Sequence, residues 1–263
     1  MENILNKNIL NIIKEYPEIE KVLLNYDIGC TTCSIGTCKF KDIISIHNLS
    51  IEQETALLEA VAQIIYPGEK VIISRIERVE VSDKGTVPPI RDLVEEHKLI
   101  KKVIAMIPVL LNKVDLNSRD NRDLYSSVLE FISNYADAFH HEKEEKILFG
   151  YFDQNSDILS TFLKEHEIGR NHVREAKRGV SNGNMNLLKE HLTAYTQLLK
   201  EHIKKEDEIL FPWMNRNLTD SQIGQLFAKF TRTDKSFENV ISVQKSFVER
   251  ITKLLNFSAD GDV

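Results

Sequence analysis

Between Asn3 and Pro67 apolar residues recur at helical spacing. Ile9, Ile12, Ile13, Ile19, Val22 and Leu23 carry the pattern until Asp27-Ile28-Gly29-Cys30 breaks it. A second helix starts at Ser50, an N-cap residue with Gln53 three positions on, and carries Leu57, Leu58, Val61 and Ile65 on one face until Pro67-Gly68 stops it. Val71 to Val81 alternates weakly, as a short strand or an extended connector would, and Ser82 to Pro89 has a linker's composition. Beyond Pro89 four long helical patterns, 90–111, 121–150, 155–180 and 185–216, are separated by short breaks rich in Asn, Ser, Asp and Gly. Short breaks predict antiparallel neighbours. The expected fold is therefore all-α, with an antiparallel up-down four-helix bundle at 90–216. A small helical cysteine-containing domain at 1–80 and a linker at 81–89 precede it, and a helical extension at 217–263 follows. Pro108 should kink the first bundle helix or end it early. A further helix at 236–255, with Phe237, Ile241, Phe247 and Ile251 among its apolar positions, carries no candidate ligand and reads as a packing or homodimer element.

Composition narrows the function. The 263 residues are 42% hydrophobic and 28% charged, enough to bury a core. Lys and Arg number 34 against 40 Asp and Glu, a net charge of −6 with no dense basic run, which argues against binding through nucleic-acid phosphates. No apolar stretch approaches the roughly 18 residues of a membrane span, and the opening MENILNKNILNIIKEY lacks a signal-peptide layout, so a cytoplasmic protein is expected. All three cysteines fall within Cys30–Cys38, which suggests one local site and not a disulfide framework.

The chemistry lies in an internal repeat. His140 to Phe149 and His202 to Phe211 align without gaps as H-x-x-K-E-[ED]-x-I-L-F. Residues i and i+4 share a helix face, so His140 with Glu144, and His202 with Glu206, each point an imidazole and a carboxylate the same way. The Ile-Leu-Phe after each pair takes the region into the core, where a lone carboxylate is costly unless a cation neutralises it. The other two bundle helices offer His97 and His166 beside apolar stripes, so that each helix gives one histidine. Four His and two Glu converging in a bundle suit iron, with the two carboxylates able to bridge two ions. With a bridging oxygen, about one position per iron stays open for nitric oxide, dioxygen or peroxide. Any one of these histidines alone would more often be a hydrogen-bonded core residue; the ten-position repeat favours the metal. His141, about 100° round the helix from His140, is expected off the ligand face, as is His172, and His191 is about 16 Å along the axis from His202.

These motifs, H-x-x-x-E-E-x-x-L-F at His140–Phe149 and H-x-x-x-E-D-x-x-L-F-P at His202–Pro212, resemble those of the hemerythrin-like (HHE cation-binding) superfamily. The resemblance implies that His97, His140, Glu144, His166, His202 and Glu206 are ligands of a non-haem di-iron centre. Oxygen-carrying hemerythrins add a histidine four residues after the third-helix ligand, where this chain has Arg170. They also place a carboxylate five residues after the last His, here Asp207, whereas Glu206 matches bacterial di-iron proteins that repair iron–sulfur centres under nitrosative stress. That implies a stress protein reacting with nitric oxide or oxygen, or alternatively a sensor or iron-donating module without turnover. The amino-terminal stretch from Tyr16-Pro17-Glu18 to Gly29-Cys30-x-x-Cys33 resembles small cysteine-containing domains fused to such bundles. Cys30, Cys33 and Cys38 could hold an iron–sulfur cluster or other metal with His47 as fourth ligand, form a redox pair at Cys30/Cys33, or be inert thiols. In the first two cases they would supply electrons to the di-iron centre, unless a separate donor protein does so.

Overall fold

The computed structural model describes residues 2–26, 28, 39–41, 44, 47, 49–68 and 85–255. Cys30, Cys33 and Cys38, and the segment 71–81 expected as strand or connector, lie outside the described residues. The chain forms two units. One comprises Met1–Asp83, Asn155–Thr161 and Ile209–Asn217; the other comprises Lys84–Gln154, Phe162–Glu208 and Leu218–Val263.

In the first unit α1 (Glu2–Leu5), α2 (Ile9–Glu15), α3 (Glu18–Leu24) and α4 (Ile51–Ile65) enclose a small core that includes Ile9, Ile12, Ile19, Leu23, Phe40, Leu57 and Val61. The Asn8 side chain caps α2 by accepting from the Leu10 and Asn11 amides. At α4 the expected capping box is present: Ser50 Oγ accepts from the Gln53 amide, and the Gln53 side chain accepts from the Ser50 amide. No strand occurs among the described residues; Asn8 and Lys39 form an isolated antiparallel bridge.

The second unit is built on four long helices. These are α5 (Pro88–Lys113), α6 (Arg119–Phe131), α7 (Asp157–Ser181, in this unit from Phe162 on) and α8 (Met185–Lys205), while α9 (Phe211–Asn217), next in the chain, is counted with the first unit. The fold is all-α, as expected for a hemerythrin-like bundle. Helix α5 runs past Pro108 to Lys113, so the proline does not end it. Pro108 lies on the exposed face, where water can satisfy the carbonyl it leaves unbonded, while Ile104, Ile107, Leu110 and Leu111 bury the opposite side. Tyr125 Oη donates to the Leu110 and Val114 carbonyls at 3.0 and 2.7 Å, which fastens the α5–α6 corner. Gly183, with φ +64°, makes the α7–α8 turn. A Cβ at Gly179 would lie 2.7 Å from the Leu188 backbone nitrogen, so only glycine lets α7 and α8 approach so closely there.

The helix begun by α6 continues in π-helical form over Ile132–His141 and again over Glu144–Leu148, and α8 does the same over Glu206–Leu210. Such wide turns are uncommon and concentrate at functional sites. Two further helices, α10 (Asp220–Ser236) and α11 (Glu238–Leu255), pack on α5. Apolar periodicity alone does not mark α10, although Thr219 and Gln222 form a complete capping box at its start. The rings of Phe237 and Phe247 lie tilted against those of Phe139 and Phe131, which carries the bundle core into the carboxy-terminal helices. No described helix is long and apolar enough to cross a membrane.

Candidate metal centre

The four helices of the bundle bury two neighbouring donor groups, His97 (α5) with His140, Glu144 (the α6 continuation) and Glu206 (the α8 continuation), and His166 (α7) with His202 (α8) and His141; His166 Nε2 joins them, 3.6 Å from Glu144 Oε2 and 3.8 Å from Glu206 Oε1. Within the joined cluster, Nε2 of His140 lies 2.9 Å from Nε2 of His97, and Nε2 of His166 lies 2.8 Å from Nε2 of His202. Glu144 Oε1 approaches His140 Nε2 at 3.3 Å, and Glu206 Oε1 approaches His202 Nε2 at 3.0 Å. Even so, all four oxygens of Glu144 and Glu206 are buried without a hydrogen-bond partner.

The outer side of the cluster explains the orientation of these imidazoles. Each Nδ1 meets a carboxylate: His97 meets Asp207 at 2.6 Å, His140 meets Glu96 at 2.8 Å, His166 meets Glu145 at 2.6 Å and His202 meets Glu165 at 2.7 Å. A carboxylate only accepts, so each Nδ1 carries the hydrogen and each Nε2 turns a lone pair inward. Each carboxylate is held in turn by a cation: Asp207 by Lys101, Glu96 by Lys143, Glu145 by Arg170 and Glu165 by Lys205. The carboxylates run in a ring: α5 serves the histidine on the α6 continuation, that element serves α7, α7 serves α8, and the α8 continuation serves α5. The repeat thus has a reason for every charged position it shares. The histidine and first acid face inward, while the lysine and second acid orient histidines from outside.

Electrostatics agree with the geometry. Burial alone would lower His140 and His202, but Glu144 beside the first and Glu206 beside the second, with Glu96 and Glu165, reverse this and hold them up at about 10 and about 9. Burial would raise Glu206, yet the neighbouring His202, His166 and His97 hold it well below the usual carboxylate range. Glu144, raised by burial and by Glu206, is likewise pulled down by His140 and His166. Facing imidazole lone pairs less than 3 Å apart, together with two buried carboxylates, require positive charge between them, either protons or metal ions. Nitrogen and carboxylate donors in this proportion fit iron.

Against this geometry, residues 88–214 match the family model of the hemerythrin HHE cation binding domain. Residues 88–214 are a hemerythrin HHE cation-binding domain. No curated protein and no solved structure matches the chain. Metal binding, typically of iron, is the property this HHE domain brings, and its buried His/Glu clusters fit that property.

One histidine departs from expectation. At α-helical spacing His141 would lie off the ligand face, but the π-helical turns before it advance each residue by less than 100°, so His140 and His141 both face the interior. His141 is buried, with its ring stacked 3.8 Å from that of His166. Burial and the charge of His166 push it down to about 4. His172 and His191 face each other at 3.0 Å through their Nδ1 atoms and belong to neither donor group. Arg170, standing where the resemblance would put a further histidine, bridges Asp137 and Glu145 at 2.8 and 2.6 Å. A cavity of about 280 Å³ in the HHE domain is bordered by His141, His166 and His202 within and by Arg170, Arg174 and Lys177, and it includes Gly169 in its wall.

Proposed function

We propose that the HHE domain holds two iron ions between His97, His140, Glu144, His166, His202 and Glu206, and that nitric oxide or dioxygen binds there in defence against chemical stress. The observation that carries the two-ion reading is the convergence of two facing imidazole pairs on two buried carboxylates that have no hydrogen-bond partner. Two carboxylates shared between two pairs of histidines make two positions with similar donors. The iron would supply Lewis acidity and redox capacity. The chain's own residues do the rest: Asp207, Glu96, Glu145 and Glu165 hold the imidazoles in the tautomer a cation needs, and Lys101, Lys143, Arg170 and Lys205 keep those carboxylates in place. The cavity beside His166 and His202 is several times the ~30 Å³ share of a water molecule, ample for a diatomic gas. Glycine at position 169 helps to keep it open. The three clustered cysteines, Cys30, Cys33 and Cys38, are the proposed source of electrons; their spacing in the sequence supports this reading.

Anaerobic loading with ferrous iron, followed by titration with nitric oxide and with dioxygen, tests the proposal. Two irons per chain and a saturable optical change with one of the gases are expected. Iron-loaded protein that responds to neither gas would refute the gas-binding reading.

A further inference from the structure

We propose that His141 is a fifth histidine ligand, so that one metal position has three imidazoles and the other two. The inference rests on the two-metal reading above and adds a residue to it.

Potential donor atoms fall into two groups, each with members within 4.8 Å of one another: His97, His140, Glu144 and Glu206 in one, His141, His166 and His202 in the other. His141 therefore stands in a donor group with the two histidines that face each other from α7 and α8. Its orientation repeats that of the other four. Nδ1 of His141 faces Asp137 Oδ1 at 3.3 Å, and Arg170 Nε donates to that same oxygen at 2.8 Å. This is the imidazole–carboxylate–cation series found at His97, His140, His166 and His202. The remaining ring nitrogen of His141 has no hydrogen-bond partner among the described residues, and unlike the Glu144 and Glu206 oxygens it is not sealed from solvent, so it is free to meet a metal ion at the cavity. The π-helical segment supplies the cause: ten residues of wide turn, Ile132–His141, turn two successive histidines toward the interior. The rival role is that of a wall, in which His141 only stacks on His166 and borders the cavity.

The full chain, stripped of metal, is titrated anaerobically with ferrous iron, and ⁵⁷Fe Mössbauer spectra are recorded on the loaded protein. The wild type should bind two ions and show two doublets of equal area with different splittings. His141→Phe keeps a ring to stack on His166 but no donor nitrogen. It should weaken one of the two ions by about 10-fold or more and move one doublet while leaving the other in place. His141→Ala, supplied with free imidazole through the cavity, should recover the wild-type doublet, a rescue that a wall residue would not give. Two ions held with wild-type affinity and unchanged spectra in His141→Phe would overturn the proposal, as would a His141→Ala spectrum indifferent to imidazole. A wild type that binds no iron would instead fail the two-metal reading on which this one stands, and both would fall.

Discussion

Replacing Lys143 with Met should destabilise the metal-free protein more than a lysine substitution on a helix normally does. Lys143 is fully buried. Its ammonium pairs with Glu96 and, at 3.0 Å, with Asp234 of α10, and it lies 4.4 and 4.9 Å from the ring centroids of Phe139 and Phe230. Methionine keeps the apolar stem and the aromatic contacts but leaves Glu96, 12% exposed, sharing the single positive charge of His140 with the buried Glu144. Breaking a buried pair by removing one partner costs about 3–5 kcal/mol. Asp234 is 42% exposed and can be hydrated, so the lower end applies, about 3 kcal/mol. For a unit of this size that is a fall of about 6–12 °C in melting temperature. Adding Glu96→Gln removes the stranded charge while the amide oxygen still accepts from His140, and should recover about half of the loss or more. Urea denaturation of the four metal-free proteins of the cycle gives the numbers. A Lys143→Met variant within about 0.5 kcal/mol of wild type, or a double variant no better than the single, would mean that Lys143 does not neutralise Glu96.

Two further outcomes are expected. In the metal-free protein His140 and His202 hold protons up to about 10 and about 9, against about 6.5 in the unfolded chain, so their contribution is complete below about pH 6.5 and disappears as pH rises toward 10. Melting temperature should fall across that window in metal-free protein and hold steadier once iron replaces the protons; parallel curves for the two forms would contradict this. A Cβ at Gly169 would make ordinary contacts of 3.5 Å with Tyr195 and 3.9 Å with Leu198, so Gly169→Ala should be tolerated, whereas Gly169→Leu should fill the cavity and slow gas binding at least several-fold with both irons retained. Stopped-flow mixing with nitric oxide measures it, and wild-type rates in a fully loaded Gly169→Leu protein would remove the cavity from the route.

The bundle was legible because apolar periodicity and capping residues act locally: Ser50 with Gln53 announced α4, and the repeat at His140 and His202 marked the inward faces. Continuation past Pro108 was not legible, since it depends on tertiary burial of the other side of α5. The inward turn of His141 was hidden for a different reason. Angular bookkeeping at 100° per residue fails wherever the helix widens, and no single residue in Ile132–His141 announces a π-helix. The orienting carboxylates were partly visible. Glu96-His97 and Glu165-His166 are matching doublets, and Lys143 and Lys205 occupy the same position in the repeat, but solvated helix faces carry the same charges. Only the folded arrangement shows that each acid serves a histidine of a neighbouring helix and not its own.

On the two-metal proposal, the ring of carboxylate-held imidazoles and the two buried glutamates form one centre for two metal ions. Iron content per chain, measured after anaerobic reconstitution and removal of loosely held metal, tests it most directly when wild type is compared with His140→Ala, His202→Ala and His191→Ala. Two irons per chain are expected in the wild type and in His191→Ala, and sharply lower content in the other two. Equal iron in all four proteins, or none in the wild type, would contradict it.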